Sequence, residues 1–174
     1  MKNNNRLWCL IGFAFASFGG TILHFLYDWT NKSLLVAPFS GVNESTWEHM
    51  KLLFFPMLIF AVVQSFFFKE QKDFWCVKLR GTLLGIFLIP VIFYTYNGAI
   101  GKSSDFINIS IFFISALLAY IYECNQLNKK LSKCSHSKLA FFVLLAIGML
   151  FVIFTFFTPE ISIFKDPLTQ SYGI

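Results

Sequence analysis

Five long apolar runs separated by short polar segments account for most of the chain, near residues 7–27, 50–68, 79–99, 106–122 and 139–157. Each comes close to or exceeds the roughly 18 apolar residues a helix needs to cross a bilayer. The pattern predicts an all-α membrane protein. We expect a bundle of about five transmembrane helices forming one integral membrane domain over residues 1–174. Pro56 and Pro90 fall inside the second and third runs. Neighbouring helices and waters re-satisfy the backbone groups a proline frees in a membrane, so neither breaks the assignment. The final stretch, TPEISIFKDPLTQSYGI (158–174), is too rich in proline and polar residues to span. It is expected to fold back on the outer surface through Ile161, Ile163 and Phe164, with Asp166 and Pro167 opening a turn.

The opening of the chain also resembles a signal peptide, because AFAS at 14–17 offers a small-residue cleavage site. The apolar run before it is very short, and hydrophobicity continues to Tyr27, so an uncleaved helix is expected. No internal repeat is visible, so a transporter built from two inverted halves is not indicated.

Composition sharpens this picture. Of 174 residues, 56% are hydrophobic and 13% charged, against about a quarter charged in a soluble domain. No separate soluble domain is expected. The net charge of +5 does not suggest nucleic acid, because the basic residues sit in short clusters between apolar runs, as orientation in a bilayer requires. Lys2, Arg6, Lys69, Lys72, Lys78, Arg80, Lys129, Lys130, Lys133 and Lys138 would share one side, and Lys32, Lys51, Lys102 and Lys165 the other. That bias predicts an N-terminus inside, a C-terminus outside, and a multi-pass protein of the plasma (inner) membrane. Most acidic residues then fall outside. Cys9, Cys76, Cys124 and Cys134 fall near the reducing inner face, where free thiols are expected.

Three motifs carry little. GAIGKSS (98–104) lacks the first glycine of a phosphate loop, has Tyr96 in its place, and follows no strand. GTLLG (81–85) has the small-residue spacing that lets helices approach closely. It is expected to pack within the bundle, with a helix–helix dimer through Gly81 and Gly85 as the alternative. Cys134 and His136 are too few ligands in too basic a loop for a metal site.

Ionisable residues gather at the outer ends of the first two runs. Ser17, Gly20, His24 and Asp28 form one helical stripe, and a polar stripe in a bilayer should face protein or water. Glu44, Ser45, Glu48 and His49 lie at the mouth of the second run. Imidazole with carboxylate suits zinc or manganese, and a glutamate beside a metal can act as general base. Ser45 one turn from His49 raises a nucleophile and base as an alternative. A purely structural reading also stands: Ser45-x-x-Glu48 is a capping box, Glu44 suits the helix dipole, Glu48 and Lys51 can pair, and Trp47 fits the headgroup level. That reading accounts less well for His24, Asp28 and His49. Tyr94, Tyr96, Asn97, Asp105 and Asn108 are further outer-side groups able to join the cluster.

TILHFLYDW (21–29), VNESTWEHMKLLFFP (42–56) and the tail together resemble an uncharacterised family of small bacterial integral membrane proteins. The shared patterns are HFxYDW, VNESxWEHxKLxFxP and FKDPxxxxYGI, and the resemblance covers essentially the whole chain. It implies a compact helical membrane domain and supplies no reaction, substrate or cofactor.

The resulting expectation is an outward-facing ionisable pocket. Its metal ligands would come from His24, Asp28, Glu48 and His49, and its catalytic groups from Glu44, Ser45 and Glu48. Zinc or manganese would serve hydrolysis or modification of a lipid or envelope substrate. A small transporter or ion-binding permease is one alternative, because Pro56 and Pro90 suggest helix breaks of the kind that bind ions. A non-catalytic membrane partner subunit is another.

Overall fold

The computed structural model describes residues 2–101, 104–129, 134 and 136–174. Lys102, Lys130 and Lys133 lie outside the described residues, as do the side chains of Lys2, Lys129 and Asp105. The described residues form α1 (Lys2–Trp29), α2 (Thr46–Ser65), α3 (Phe74–Ile100), α4 (Asp105–Lys129), α5 (Ser137–Phe156) and a 3-10 turn, Ser162–Phe164. All five helices are long and apolar enough to cross a membrane, so this is a multi-pass membrane protein. Pro56 lies inside α2 and Pro90 inside α3. Several helices overrun the apolar runs that marked them, because polar ends continue the backbone hydrogen bonding past the greasy stretch.

α2 is the central helix. Two thirds of its membrane window (67%) is buried, against 22% for α1 and 28% for α5. Its Leu53, Phe54, Met57 and Phe60 pack against Ala16 of α1, Ile86 and Ile89 of α3, Phe112 and Ala116 of α4, and Phe151 of α5. The GTLLG motif lies on the α3–α4 seam. A methyl group on Gly81 would run into the Glu123 side chain, and one on Gly85 would sit 3.1 Å from Ala119 and from Leu53. The small-residue face is therefore covered within the chain, as the packing reading expects.

Two lysines counted toward the charge at the helix ends, Lys51 and Lys78, are buried inside helices. Lys51 in α2 pairs with Glu48 at 2.6 Å, and Lys78 in α3 pairs with Glu123 of α4 at 2.5 Å. Lys51 also donates to the Ala37 carbonyl (2.9 Å) and to Thr155 Oγ1 (3.1 Å), tying the α1–α2 loop, α2 and α5 together. The Lys78 ammonium sits 5.8, 5.6 and 5.7 Å from the ring centres of Phe60, Phe74 and Tyr120, close enough for cation–π attraction. Removing these two lysines from the loop charges leaves the basic asymmetry in place.

The cysteines gather at one end of the bundle, as expected, but they are not all free. Cys76 and Cys134 form a disulfide. Their Cα atoms are 6.4 Å apart, within the span a disulfide bridges, a proximity that sequence separation concealed. Cys9 and Cys124 are free thiols.

The tail folds back onto the opposite end. Phe164 is buried and lies 4.5 Å from the Trp47 ring, which also meets Phe151 at 4.6 Å. Trp47 is thus a joint between α2, α5 and the tail. Tyr94 Oη donates to the Ser162 carbonyl at 2.9 Å. Asp166 makes the expected turn, its Oδ1 accepting from the backbone N–H groups of Leu168 (2.7 Å) and Thr169 (3.3 Å).

Candidate functional site

The site is assembled by the chain reversal between α1 and α2. After α1, Asn31 and Lys32 adopt left-handed conformations, φ 53° and 58°, which turn the backbone back toward the helix it has left. The returning strand is fastened to the last turns of α1. The Leu23 carbonyl accepts from Gly41 N (3.2 Å) and from the Ser40 hydroxyl (2.6 Å), and Ser40 Oγ accepts from Tyr27 N (2.8 Å). α2 is then capped by two polar side chains. Asn43 Oδ1 accepts from Ser45 N (2.9 Å), and Ser45 Oγ accepts from Glu48 N (3.4 Å). This sets Glu44, the residue just before the cap, between the end of α1 and the start of α2.

His24, Glu44 and His49 converge there. One ligand atom from each lies within 4.8 Å of the others. His24 Nε2 is 3.6 Å from Glu44 Oε1, His49 Nε2 is 3.6 Å from Glu44 Oε2, and the two imidazole centres are 5.9 Å apart. The side chains are 30%, 41% and 20% exposed for His24, Glu44 and His49, so the cluster is reachable from solution.

The protonation of His49 follows from its other nitrogen. Nδ1 lies 3.0 Å from the Ser45 carbonyl, and a carbonyl only accepts, so Nδ1 carries the hydrogen. In the neutral ring Nε2 then has a lone pair aimed at a carboxylate oxygen. Two acceptors facing each other repel unless a proton or a cation lies between them. Two ligands of a tetrahedral zinc, each about 2.1 Å from the metal, lie ~3.4 Å apart. The two imidazole–carboxylate separations are each 3.6 Å, to different oxygens of Glu44, so either oxygen lies near that edge from one imidazole, and one atom from each residue lies within 4.8 Å of the others. A histidine whose Nδ1–H is held by a backbone carbonyl while Nε2 faces inward is also the usual posture of a metal-bound imidazole.

The other expected site residues are placed differently. Glu48 is 3% exposed and turned away from the histidines: its Oε2 takes the Lys51 ammonium at 2.6 Å and accepts from Val42 N at 3.0 Å. Burial among apolar side chains demands a counter-charge, and Lys51 supplies it, so Glu48 is spent on the fold. Ser45 is buried and its hydroxyl is occupied by the cap. It meets His49 through its carbonyl rather than its Oγ, which removes the nucleophile and base arrangement. Asp28 is exposed one turn beyond His24 and is not among the three converging ligands. Half of the expected capping box exists: Ser45 caps Glu48 N, while Glu48 reaches Val42 instead of Ser45.

The cluster opens into a cavity of about 420 Å³, lined by Gly20, Thr21 and Phe25 of α1, Leu52 of α2, Asn108 and Phe112 of α4, and the tail's Pro167 and Leu168, among others. Asn108 lines it as expected. The tail's part was not foreseen. Asp166 Oδ2 accepts from the backbone N–H of Glu44 at 3.4 Å, and Asn43 Nδ2 donates to the Gly173 carbonyl at 3.0 Å. The turn-forming Asp166 and Pro167 were visible in sequence, but nothing local tied them to Glu44, which lies far away along the chain.

A second charged cluster occupies the other end of the bundle. Glu123 is 1% and Lys78 2% exposed, so an acidic group lies buried on that side as well. Fifteen residues of α4 separate Asn108 from Glu123, about 20 Å of helix, and the intervening α4 residues Phe112, Ala116 and Ala119 belong to the apolar core.

Among known proteins, the model of a family described as "Family of unknown function (DUF6512)" matches residues 1–174. No curated protein and no solved structure matches the chain.

Proposed function

We propose that this chain, which belongs to the DUF6512 family along its whole length, is a metal-dependent membrane enzyme that hydrolyses or modifies a lipid or envelope substrate. His24, Glu44 and His49 hold the metal. The observation that carries this reading is the pair of 3.6 Å imidazole–carboxylate separations around a nitrogen whose lone pair faces the carboxylate. Three protein ligands leave a fourth position for water or substrate. A metal there lowers the pKa of bound water toward about 7 and polarises a carbonyl or phosphoryl oxygen. The two-nitrogen, one-oxygen donor set suits zinc or manganese. Asp28, one turn along α1, is the candidate carboxylate for proton transfer or for orienting His24 from outside the ligand set.

Transport is the weaker reading. The charged groups at the far end are already matched as an ion pair, and apolar core separates them from the histidine cluster. A pathway would need polar groups or water between the two.

The test is metal content of the detergent-purified chain beside a His24→Ala/His49→Ala variant with matched thermal unfolding. About one zinc or manganese per chain, lost in the variant, is expected. No bound metal in the unmutated protein, even after metal is added back, overturns the proposal.

A further inference from the structure

We infer that the substrate enters this site sideways from the bilayer, as a lipid whose acyl or prenyl chain lies in the gap between α1 and α4. The inference rests on the proposed metal site for the headgroup and on independent geometry for the chain. Near the middle of the bundle α1 and α4 touch closely. Gly12 lets the rings of Tyr120 and Phe60 lie against the α1 backbone, and Gly20 does the same for the Phe112 ring. Any side chain at either glycine would collide with those rings. Above Gly20 the space between the two helices is the cavity itself.

The walls of that gap are apolar and face outward. Phe25 on α1 is 45% exposed, and Ile109 and Phe113 on α4 are 57% and 36% exposed. All three line the cavity and lie within candidate membrane spans. Exposed apolar side chains on membrane-crossing helices are suited to hydrocarbon, so the wall they form is one a lipid chain can cross. Leu168 of the tail also lines the cavity. The chamber is mostly apolar, so a lipid chain finds there continuity with its own solvent.

The polar contents sit at one end only. His24, Glu44, His49, Asn108 and Thr21 are the cavity's polar lining residues, and among the described residues no lysine or arginine lines it. A divalent metal with one carboxylate and two neutral imidazoles leaves a net charge of about +1. That end suits an oxygen-rich headgroup, a phosphate or carboxylic ester, bound to the metal. A volume of about 420 Å³ is at the small end of ligand pockets. It holds a headgroup and the first part of a chain, with the remainder trailing into the bilayer.

The experiment uses the full chain in nanodiscs made with a phospholipid bearing a photoactivatable diazirine on its acyl chain, with and without added zinc. Peptide mapping compares labelling at Thr21, Phe25, Ile109 and Phe113 with labelling at Met149 and Ile153, which are exposed on α5. Enrichment at the α1–α4 gap is expected. Ile109→Trp and Thr21→Trp should abolish that enrichment while the bound-metal content stays unchanged. Both positions are exposed, so tryptophan is accommodated without disturbing the core. Labelling at the gap no greater than on α5, or enrichment that survives both tryptophans, overturns the inference. Because labelling is read in both metal states, a chain that binds no zinc yet labels at the gap refutes the metal reading and leaves the groove standing.

Discussion

Glu44 and Glu48 are four residues apart and look interchangeable in sequence, yet their environments require opposite behaviour. Glu48→Gln should destabilise the fold without removing metal; Glu44→Gln should remove metal with little effect on the fold. Lys51 is fully buried, and its ammonium has three partners: Glu48, the Ala37 carbonyl and Thr155. Replacing the carboxylate by an amide keeps a hydrogen-bond acceptor but strands the charge, and removing one partner of a buried pair costs about 3–5 kcal/mol. Removing both partners, as in Glu48→Gln/Lys51→Met, takes away the stranded charge and should recover much of that loss. Glu44 is 41% exposed and neutralises no buried cation, so its change should cost less than about 1 kcal/mol. The assay is unfolding of the detergent-purified variants by titration with a denaturing detergent, with metal content measured on the folded fraction. Equal destabilisation by the two substitutions, or retention of metal by Glu44→Gln, would refute this division of roles.

The Lys78–Glu123 pair should behave like Lys51–Glu48: Glu123→Gln costs about 3 kcal/mol or more and the Lys78→Met/Glu123→Leu double variant recovers part of it, measured as a double-mutant cycle. Gly81→Ala should destabilise by about 1–3 kcal/mol, because its methyl meets the Glu123 side chain. Gly98→Ala, with nothing within 4 Å of the added methyl, should gain about 0.5–1 kcal/mol from helix propensity; the same unfolding titration compares the two. Asp166→Ala removes the acceptor for Glu44 N, Leu168 N and Thr169 N, and should weaken zinc binding by about 10–100-fold through loss of ligand positioning, read by competition with a chromophoric chelator.

Local chemistry was enough to determine the class of fold, the number of helices and the ends at which charge would gather. A run of apolar residues long enough to cross a bilayer forms a helix whatever surrounds it, since lipid offers no other partner for its backbone. For the same reason Pro56 and Pro90 were correctly kept inside helices. His24 and His49 were identifiable because a histidine on a greasy helix stands out against its background. The choice between Glu44 and Glu48 was not, since both carry the same group at the same helix start. It was settled by which carboxylate the chain reversal after α1 brought to His24, and by Lys51 claiming the other. The placing of Gly81 against Glu123, of Cys76 beside Cys134 and of Asp166 beneath Glu44 likewise depended on contacts between residues far apart in the chain. Spacing along one helix fixes which side chains share a face, but which face meets which neighbour is decided only when the helices pack.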